Sequence, residues 1–450
     1  MNREKRPQSR RRWIWYLFLA ALFVLGLSFG TALNRRMSPG GTGDVSQTAS
    51  PSGGPVSPGP SESAPPDTSD PSESAPPETP APSAPNSPAA SEEPTAPPEE
   101  SPAASVEPLT LAQAALEGMS LREKVCQMFL VQPSSLTGKQ SVTQAGEDLR
   151  LALEQYPVGG VLFDASNMVS QKQVRQLLET TQSYSRVPLI LTCDEEGGRV
   201  ARLMGTVGTT KIGPMLDYAH LGPEAASANA QIIAEDMVSL GFNTDLAPVA
   251  DVWSNPDNTV IGDRAYSREF AQAAELIPAA VEGFHAGGVA CVLKHFPGHG
   301  DTKEDSHSGT AYVNKTLDQL REEELMPFRA GINAGADMVM AGHLTVPAVD
   351  SEPAPFSSAL ITGLLREELG YNGVVITDSL KMKAVTAHYS SGEAAVKAVQ
   401  AGVDLLLSPE NLDQAVSALL DAVDQGVISQ ARIDESVLRI LELKEAWGLL

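Results

Sequence analysis

Eight short apolar runs recur between residues 109 and 450, and they restrict the fold more than any other feature of this 450-residue chain. They are VCQMFLV (125–131), VGGVLF (158–163), PLILTCD (188–194), FNTDLAP (242–248), VACVLKHF (289–296), DMVMAGH (337–343), GVVITDS (373–379) and VDLLLS (403–408). Between them lie stretches such as SQKQVRQLLETTQ, EAASANAQIIAEDMVSLG and LITGLLREELG, whose apolar residues fall three and four apart, the spacing of one helix face. Continuous apolar strands alternating with such helices predict an α/β domain whose parallel sheet is covered on both faces. Eight units of this kind fit a (β/α)8 TIM barrel better than a doubly wound open sheet. The run ends support this, because Asp194 closes the third, Lys294 and His295 the fifth, His343 the sixth and Asp378 the seventh. A barrel gathers those ends at one mouth. ARIDESVLRILELKEAWGLL reads as a last helix close to Leu450, so residues 109–450 are expected to form one domain with no second folded domain after it.

Before residue 109 the chain changes character. MNREKRPQSRRR is basic, and Trp13 to Leu33 follow without a charge. A helix of that length reaches roughly 30 Å, about one hydrocarbon core. Basic residues ahead of an apolar span put the N-terminus in the cytoplasm and the rest outside. Residues 1–12 are therefore expected to be a cytoplasmic basic segment. Residues 13–33 are expected to be a transmembrane anchor, or a signal peptide cleaved near Gly30-Thr31-Ala32. The run is longer than a usual signal core and Arg35-Arg36 follow it, which favours the anchor. Residues 34–108 are rich in Pro, Ser, Ala, Glu and Thr and almost free of large apolar side chains. Such a stretch buries too little surface to offset its ordering entropy, so a disordered linker is expected, partly polyproline II. At about 3.1 Å per residue, some seventy residues reach roughly 200 Å, enough for a stalk through a cell envelope. The expected location is the cell membrane, single-pass, with the folded domain outside, or secretion if the N-terminal segment is cleaved.

The net charge of −24 belongs partly to the linker, but the folded part is acidic too. No basic patch lies beyond the N-terminus, which argues against nucleic acid. Cys126, Cys193 and Cys291 sit far apart in apolar runs. An odd number in an exported chain argues against a disulfide framework and for buried free thiols.

The densest chemistry is KHFPGHGDTKEDSHSG, residues 294–309. His295, His299, Asp301, Asp305 and His307 offer nitrogen and oxygen ligands for a metal, although no HExxH-like helical pairing accompanies them. Asp305-Ser306-His307 puts a carboxylate and an imidazole on one side of an extended segment, where the Asp can hold the His in one tautomer and raise its basicity. A solvated polar loop is the third reading, and the residues alone leave all three open. GVVITDSLKM adds Asp378 at the end of a run buried on both faces, where a carboxylate is costly unless paired or used. Asp378 there is a helix N-cap, a ligand or a nucleophile.

KHFPGHGDTKEDSH resembles the signature of the family 3 glycoside hydrolases that act as β-N-acetylhexosaminidases. The resemblance runs through most of residues 115–445, including LREKVCQMFLV, DEEGGRVARL, FNTDLAPVADV, VIGDRAYS, ADMVMAGH and GVVITDSLKM. It implies that Asp378 is the nucleophile and His307 the general acid/base, with Asp305 as its partner. It also implies that Asp194, Arg202, Arg264, Lys294 and His295 bind the sugar. Arg202, Arg264 and Lys294 have a plainer alternative as salt-bridge partners of barrel carboxylates, and His299 and His343 are expected to be structural. Some relatives carry an additional C-terminal domain that this sequence does not offer.

The reading that follows is a membrane-anchored barrel that is expected to be a monomer. Its implied activity is that of a retaining exo-β-N-acetylglucosaminidase with no metal and no cofactor. Its implied substrates are N-acetylglucosamine-containing oligosaccharides from peptidoglycan or chitin. The alternatives are a β-glucosidase or β-xylosidase of the same family, a metallohydrolase, and a non-catalytic cell-wall-binding module. Those sugar-specific relatives usually lack the DSH triplet, and an idle module has no need of Asp378, Asp305 and His307 together.

Overall fold

Eight parallel strands close into a ring in the computed structural model, which describes residues 109–303 and 309–450. They are β1 (Phe129–Val131), β2 (Gly160–Leu162), β3 (Ile190–Cys193), β4 (Thr244–Asp245), β5 (Ala290–Phe296), β6 (Met338–Ala341), β7 (Val374–Thr377) and β8 (Leu406–Leu407). Each pairs in parallel with the next from β1 to β7, and β8 pairs with β1. A bridge between Ile376 and Leu405 brings β7 to β8. The helices that cover the ring include α1 (Leu121–Gln127), α2 (Gln171–Ser183), α3 (Pro223–Leu240), α4 (Phe270–Gly287), α5 (Leu325–Asn333), α6 (Ser391–Ala401), α7 (Leu412–Asp424) and α8 (Gln430–Ala446).

Each apolar run contains one strand, but two runs are only partly strand. Val125–Gln127 of the first run ends α1. Ser120 accepts from the Glu123 N–H, and the Glu123 carboxylate returns to the Ser120 N–H. That capping box starts a helix, so extended structure begins only at Phe129. In the fourth run the named strand stops at Asp245, yet the ladder continues as Val292 N–H donates to the Ala247 carbonyl at 2.7 Å. LITGLLREELG is helical as expected, but Ala359–Glu368 is wound as a π-helix.

The helix faces follow the sequence spacing. Val174, Leu177, Leu178 and Thr181 are the buried residues of α2, and Ser170 caps its first turn. Helices α3 and α4 approach closely at Gly283 and Gly287. A Cβ there would lie 2.2 Å from the Ser227 carbonyl and 2.4 Å from the Ala234 Cβ, so only glycine fits. Every residue of β1, β3, β5, β6 and β7 is buried. Each large apolar side chain there contributes about 1.5–3 kcal/mol. Cys126, Cys193 and Cys291 are buried and free. Among the described residues no helix is long and apolar enough to cross a membrane. The expected anchor at 13–33 and linker at 34–108 lie outside the described residues.

Candidate active site

A cavity of about 560 Å³ opens at the C-terminal ends of the strands. Leu162, Leu246, Met340 and Leu407 line it from β2, β4, β6 and β8 or the residue just after them, and all four are apolar. Asp194, Lys294 with His295, and Asp378 line it from the ends of β3, β5 and β7. Alternate strands of such a barrel fill alternate layers. The even strands therefore end in an apolar layer, and the odd strands bring charged groups to the same space.

The charges form a chain of pairs. Lys294, 2% exposed, places its Nζ 2.8 Å from Asp194 Oδ1 and 2.6 Å from Glu196 Oε1. Arg264 holds Glu196 with Nε and Nη2, each at 2.8 Å, in the two-pronged geometry that suits a guanidinium. Arg202 Nη2 lies 3.9 Å from Asp194 Oδ2 and is more exposed. Burial on its own would raise the Glu196 pKa, but Lys294 and Arg264 outweigh it and hold the carboxyl well below its ordinary range. Burial would likewise lower the Lys294 pKa, yet Asp194 and Glu196 raise it to about 12. The salt bridges that offered a plainer account of Lys294 and Arg264 are thus present, and the same side chains line the cavity.

Lys294 and His295 are neighbours in the chain, yet both face the cavity. The β5–β6 register shifts between Lys294 and Phe296, and the usual alternation of side chains breaks there. Asp251 fixes His295 with a carboxylate oxygen 2.7 Å from Nδ1, and its other oxygen accepts from the His295 and His299 N–H groups. Burial opposes the ionised form of Asp251, but the neighbouring His295 outweighs it and the Asp251 carboxyl titrates below its ordinary range. The Asp251 carboxylate therefore makes Nδ1 the donor of His295. His299, 2% exposed, sets Nδ1 2.7 Å from the Thr302 hydroxyl, and burial lowers its pKa. His343 places Nε2 3.0 Å from the Ser379 carbonyl, which only accepts, so that nitrogen carries the hydrogen. Neither His299 nor His343 lines the cavity.

Asp378 is half-buried on the turn that leaves β7. Its N–H donates to the Ala341 carbonyl at 2.9 Å, and its Oδ1 accepts from the Ser379 N–H at 2.7 Å. Asp305 and His307 lie outside the described residues. The structure therefore brings Asp194, Arg202, Arg264, Lys294, His295 and Asp378 to one cavity.

Several groups escaped the sequence reading. Glu196 is the hub of the ion pairs. In the extended stretch Asp194-Glu195-Glu196, side chains alternate in direction, so Glu196 shares the side of Asp194, and that spacing was the available signal. Glu195 turns the other way and accepts from the Leu203 and Met204 N–H groups at 2.6 and 3.0 Å. Those bonds cap the helix Arg202–Val207, whose first residue is the cavity-lining Arg202. Burial pushes the Glu195 carboxyl up to about 7. Arg199 ties the cavity rim together, with Nη2 donating to the carbonyls of Thr259, Val260 and Ile261 at 2.9, 2.8 and 2.8 Å.

Residues 120–443 match the model of the glycosyl hydrolase family 3 N terminal domain. The chain is 34% identical over 336 residues to beta-hexosaminidase A of Pseudoalteromonas piscicida, covering 68% of this chain and 56% of that protein. It is 38% identical over 278 residues to a beta-hexosaminidase of Stenotrophomonas maltophilia (strain R551-3), covering 59% of this chain and 81% of that protein. Among solved structures it resembles a glycoside hydrolase family 3 beta-N-acetylglucosaminidase from Paenibacillus sp. str. FPU-7. There the TM-score is 0.70 at 41% identity, over 74% of this chain and 63% of that one. The chain thus spans less than two thirds of the first of these relatives and of the solved enzyme.

Proposed function

The chain belongs to glycoside hydrolase family 3, and on that premise we propose that it is a retaining exo-β-N-acetylglucosaminidase acting on cell-wall oligosaccharides. The observation that carries the proposal is the convergence of Asp378 with Asp194, Arg202, Arg264, Lys294 and His295 on one cavity at the strand ends. The names of the similar proteins, beta-hexosaminidase and beta-N-acetylglucosaminidase, support N-acetylglucosamine as the terminal sugar. Fragments of peptidoglycan are the proposed substrates, with chitin-derived oligosaccharides as a second source of the same sugar. The proposed setting is outside the cell membrane, with residues 13–33 as anchor or signal and 34–108 as the linker.

In this reading an Asp378 oxygen attacks the anomeric carbon, and the bond to the leaving oxygen breaks as that oxygen takes a proton from the His307 imidazolium. A glycosyl ester of Asp378 results. The neutral imidazole then takes a proton from water while the water oxygen displaces Asp378, and two inversions retain the β configuration. Asp305 orients the imidazole. Lys294, Arg202 and Arg264 bind sugar hydroxyls and favour the ionised form of Asp378.

The test uses an aryl β-N-acetylglucosaminide, the matching β-glucoside and a natural disaccharide. Turnover of the N-acetylglucosaminide with EDTA present is expected, with little activity on the glucoside. Asp378→Ala is expected to lose all turnover. His307→Ala is expected to slow the disaccharide far more than the aryl glycoside, whose leaving group departs with little help. The same variant should accumulate an N-acetylhexosamine adduct visible by mass spectrometry of the intact protein. Equal slowing on both substrates without an adduct would show that His307 is not the acid/base.

A further inference from the structure

At the opposite end of the barrel from the cavity, three elements bring unlike donor atoms together. His285 lies in the last turn of α4, Cys291 is the second residue of β5, and Asp337 directly precedes β6. One nitrogen, one sulfur and one carboxylate oxygen lie within 4.8 Å of one another. His285 Nε2 is 2.8 Å from Asp337 Oδ2 and 3.8 Å from Cys291 Sγ. Among the described residues this is the one such trio of His, Cys, Asp or Glu.

We propose that His285, Cys291 and Asp337 form a binding site for a borderline-soft divalent cation of the zinc class, separate from the glycosidase cavity. Donor set, geometry and charge all bear on this. Imidazole, thiolate and carboxylate are the ligand types zinc takes, at about 2.0–2.3 Å. Tetrahedral bonds of those lengths set sulfur and nitrogen about 3.6 Å apart, and nitrogen and oxygen about 3.3 Å apart. The cluster offers 3.8 and 2.8 Å, so the ion enters by opening the hydrogen-bonded nitrogen–oxygen pair by roughly half an ångström. Charge balances as well, because one thiolate and one carboxylate cancel a divalent ion in a protein interior. The Cys291 thiol gives its proton to solvent. The ion takes the Nε2 lone pair of the neutral imidazole, whose single hydrogen moves by way of solvent to Nδ1. The His285 side chain is 31% exposed, and a water from that side would supply the fourth ligand.

The surroundings hold the carboxylate still. Trp447 Nε1–H donates to Asp337 Oδ1 at 2.8 Å, and the Cys291 N–H donates to Oδ2 at 2.9 Å. The Tyr371 hydroxyl donates to the Asp337 carbonyl at 2.8 Å. The Trp447 ring packs edge-on to His285 with centroids 5.4 Å apart. Outer hydrogen bonds of this kind orient metal ligands. A bound ion would tie α4, β5 and β6 together where the strands begin.

Cobalt(II) titrated into the reduced, full-length protein is the probe. We expect a thiolate-to-cobalt charge-transfer band that saturates at one ion per chain and is bleached by added zinc. Cys291→Ser should remove the band while turnover of the aryl N-acetylglucosaminide stays unchanged, since Cys291 lies at the other end of the barrel. His285→Gln should weaken cobalt binding at least tenfold, and it keeps the test decisive if the serine variant folds poorly. Absence of the band at saturating cobalt, or its survival in Cys291→Ser, would overturn the site.

Discussion

Glu196 has no direct part in the proposed bond-breaking, yet Lys294 and Arg264 both depend on it. Replacing it with Gln leaves Arg264 without its two-pronged carboxylate and Lys294 with Asp194 alone. Cations freed in a buried site swing or draw in water, and the sugar-binding geometry loosens. Glu196→Gln is expected to lower kcat/KM at least tenfold, about 1.4 kcal/mol of transition-state stabilisation. Most of the loss should fall on KM, because the network binds rather than reacts. Steady-state kinetics on the aryl N-acetylglucosaminide measure this, and an unchanged KM would mean that the network has slack. The residue types of the site were legible, since Asp194, Arg202, Arg264, Lys294, His295 and Asp378 sit in motifs readable in one dimension. Their pairing was not, because Glu196 meets partners far along the chain and no local spacing encodes that.

At the scale of elements, α8 packs on the ring with Ile433, Ser436, Val437, Ile440, Leu441 and Lys444 on its buried face. The three- and four-residue spacing thus made the helix legible and also put Lys444 inside, although a lysine there is easily read as solvated. Lys444 is fully buried and donates to Gln127 Oε1 of α1 at 2.8 Å. The Gln127 amide in turn donates to the carbonyls of Pro157 and Val158. Burial lowers the Lys444 pKa from 10.5 to about 7. Between those values the unfolded chain holds a proton that the folded chain lacks, so stability rises with pH across that window, by up to about 1.4 kcal/mol per pH unit. Lys444→Met removes the titrating group. Its stability relative to the parent should therefore fall steadily from pH 7 to pH 10, whatever fixed offset the lost hydrogen bond adds. Urea unfolding of both proteins at several pH values checks this, and a pH-independent difference would show that Lys444 stays charged when folded. The capping box that made Val125–Gln127 helical was equally present in SLRE, but the apolar run beside it hid the signal.

For the whole molecule, eight strands and a closed barrel were expected from the sequence, but the groups that hold its last seam were not legible there. Ile376 and Leu405 form the bridge from β7 toward β8, the Leu380 N–H donates to the Leu407 carbonyl at 2.9 Å, and a side chain supplements that backbone seam. Asp404 is fully buried, and its Oδ2 accepts from the Val375 N–H of β7 at 3.0 Å and from Arg366. Its Oδ1 accepts from Ser436 at 2.7 Å and Arg439 at 3.1 Å, with Arg432 at 3.6 Å. One carboxylate thus joins β7, β8, the π-helix and α8, and it balances three guanidinium groups that would otherwise repel one another. Asn at this position keeps the size but loses the charge, and its amide nitrogen cannot accept from Val375 or an arginine. Removing one partner of a buried ionic cluster costs about 3–5 kcal/mol. Asp404→Asn is expected to lose that much in urea unfolding while KM for the aryl glycoside changes little in the folded fraction, because the cluster sits where the strands begin and the cavity where they end. A loss below about 1 kcal/mol would mean that the backbone seam closes the barrel without help. A KM that rises with the stability loss would mean instead that closure at one end shapes the mouth at the other.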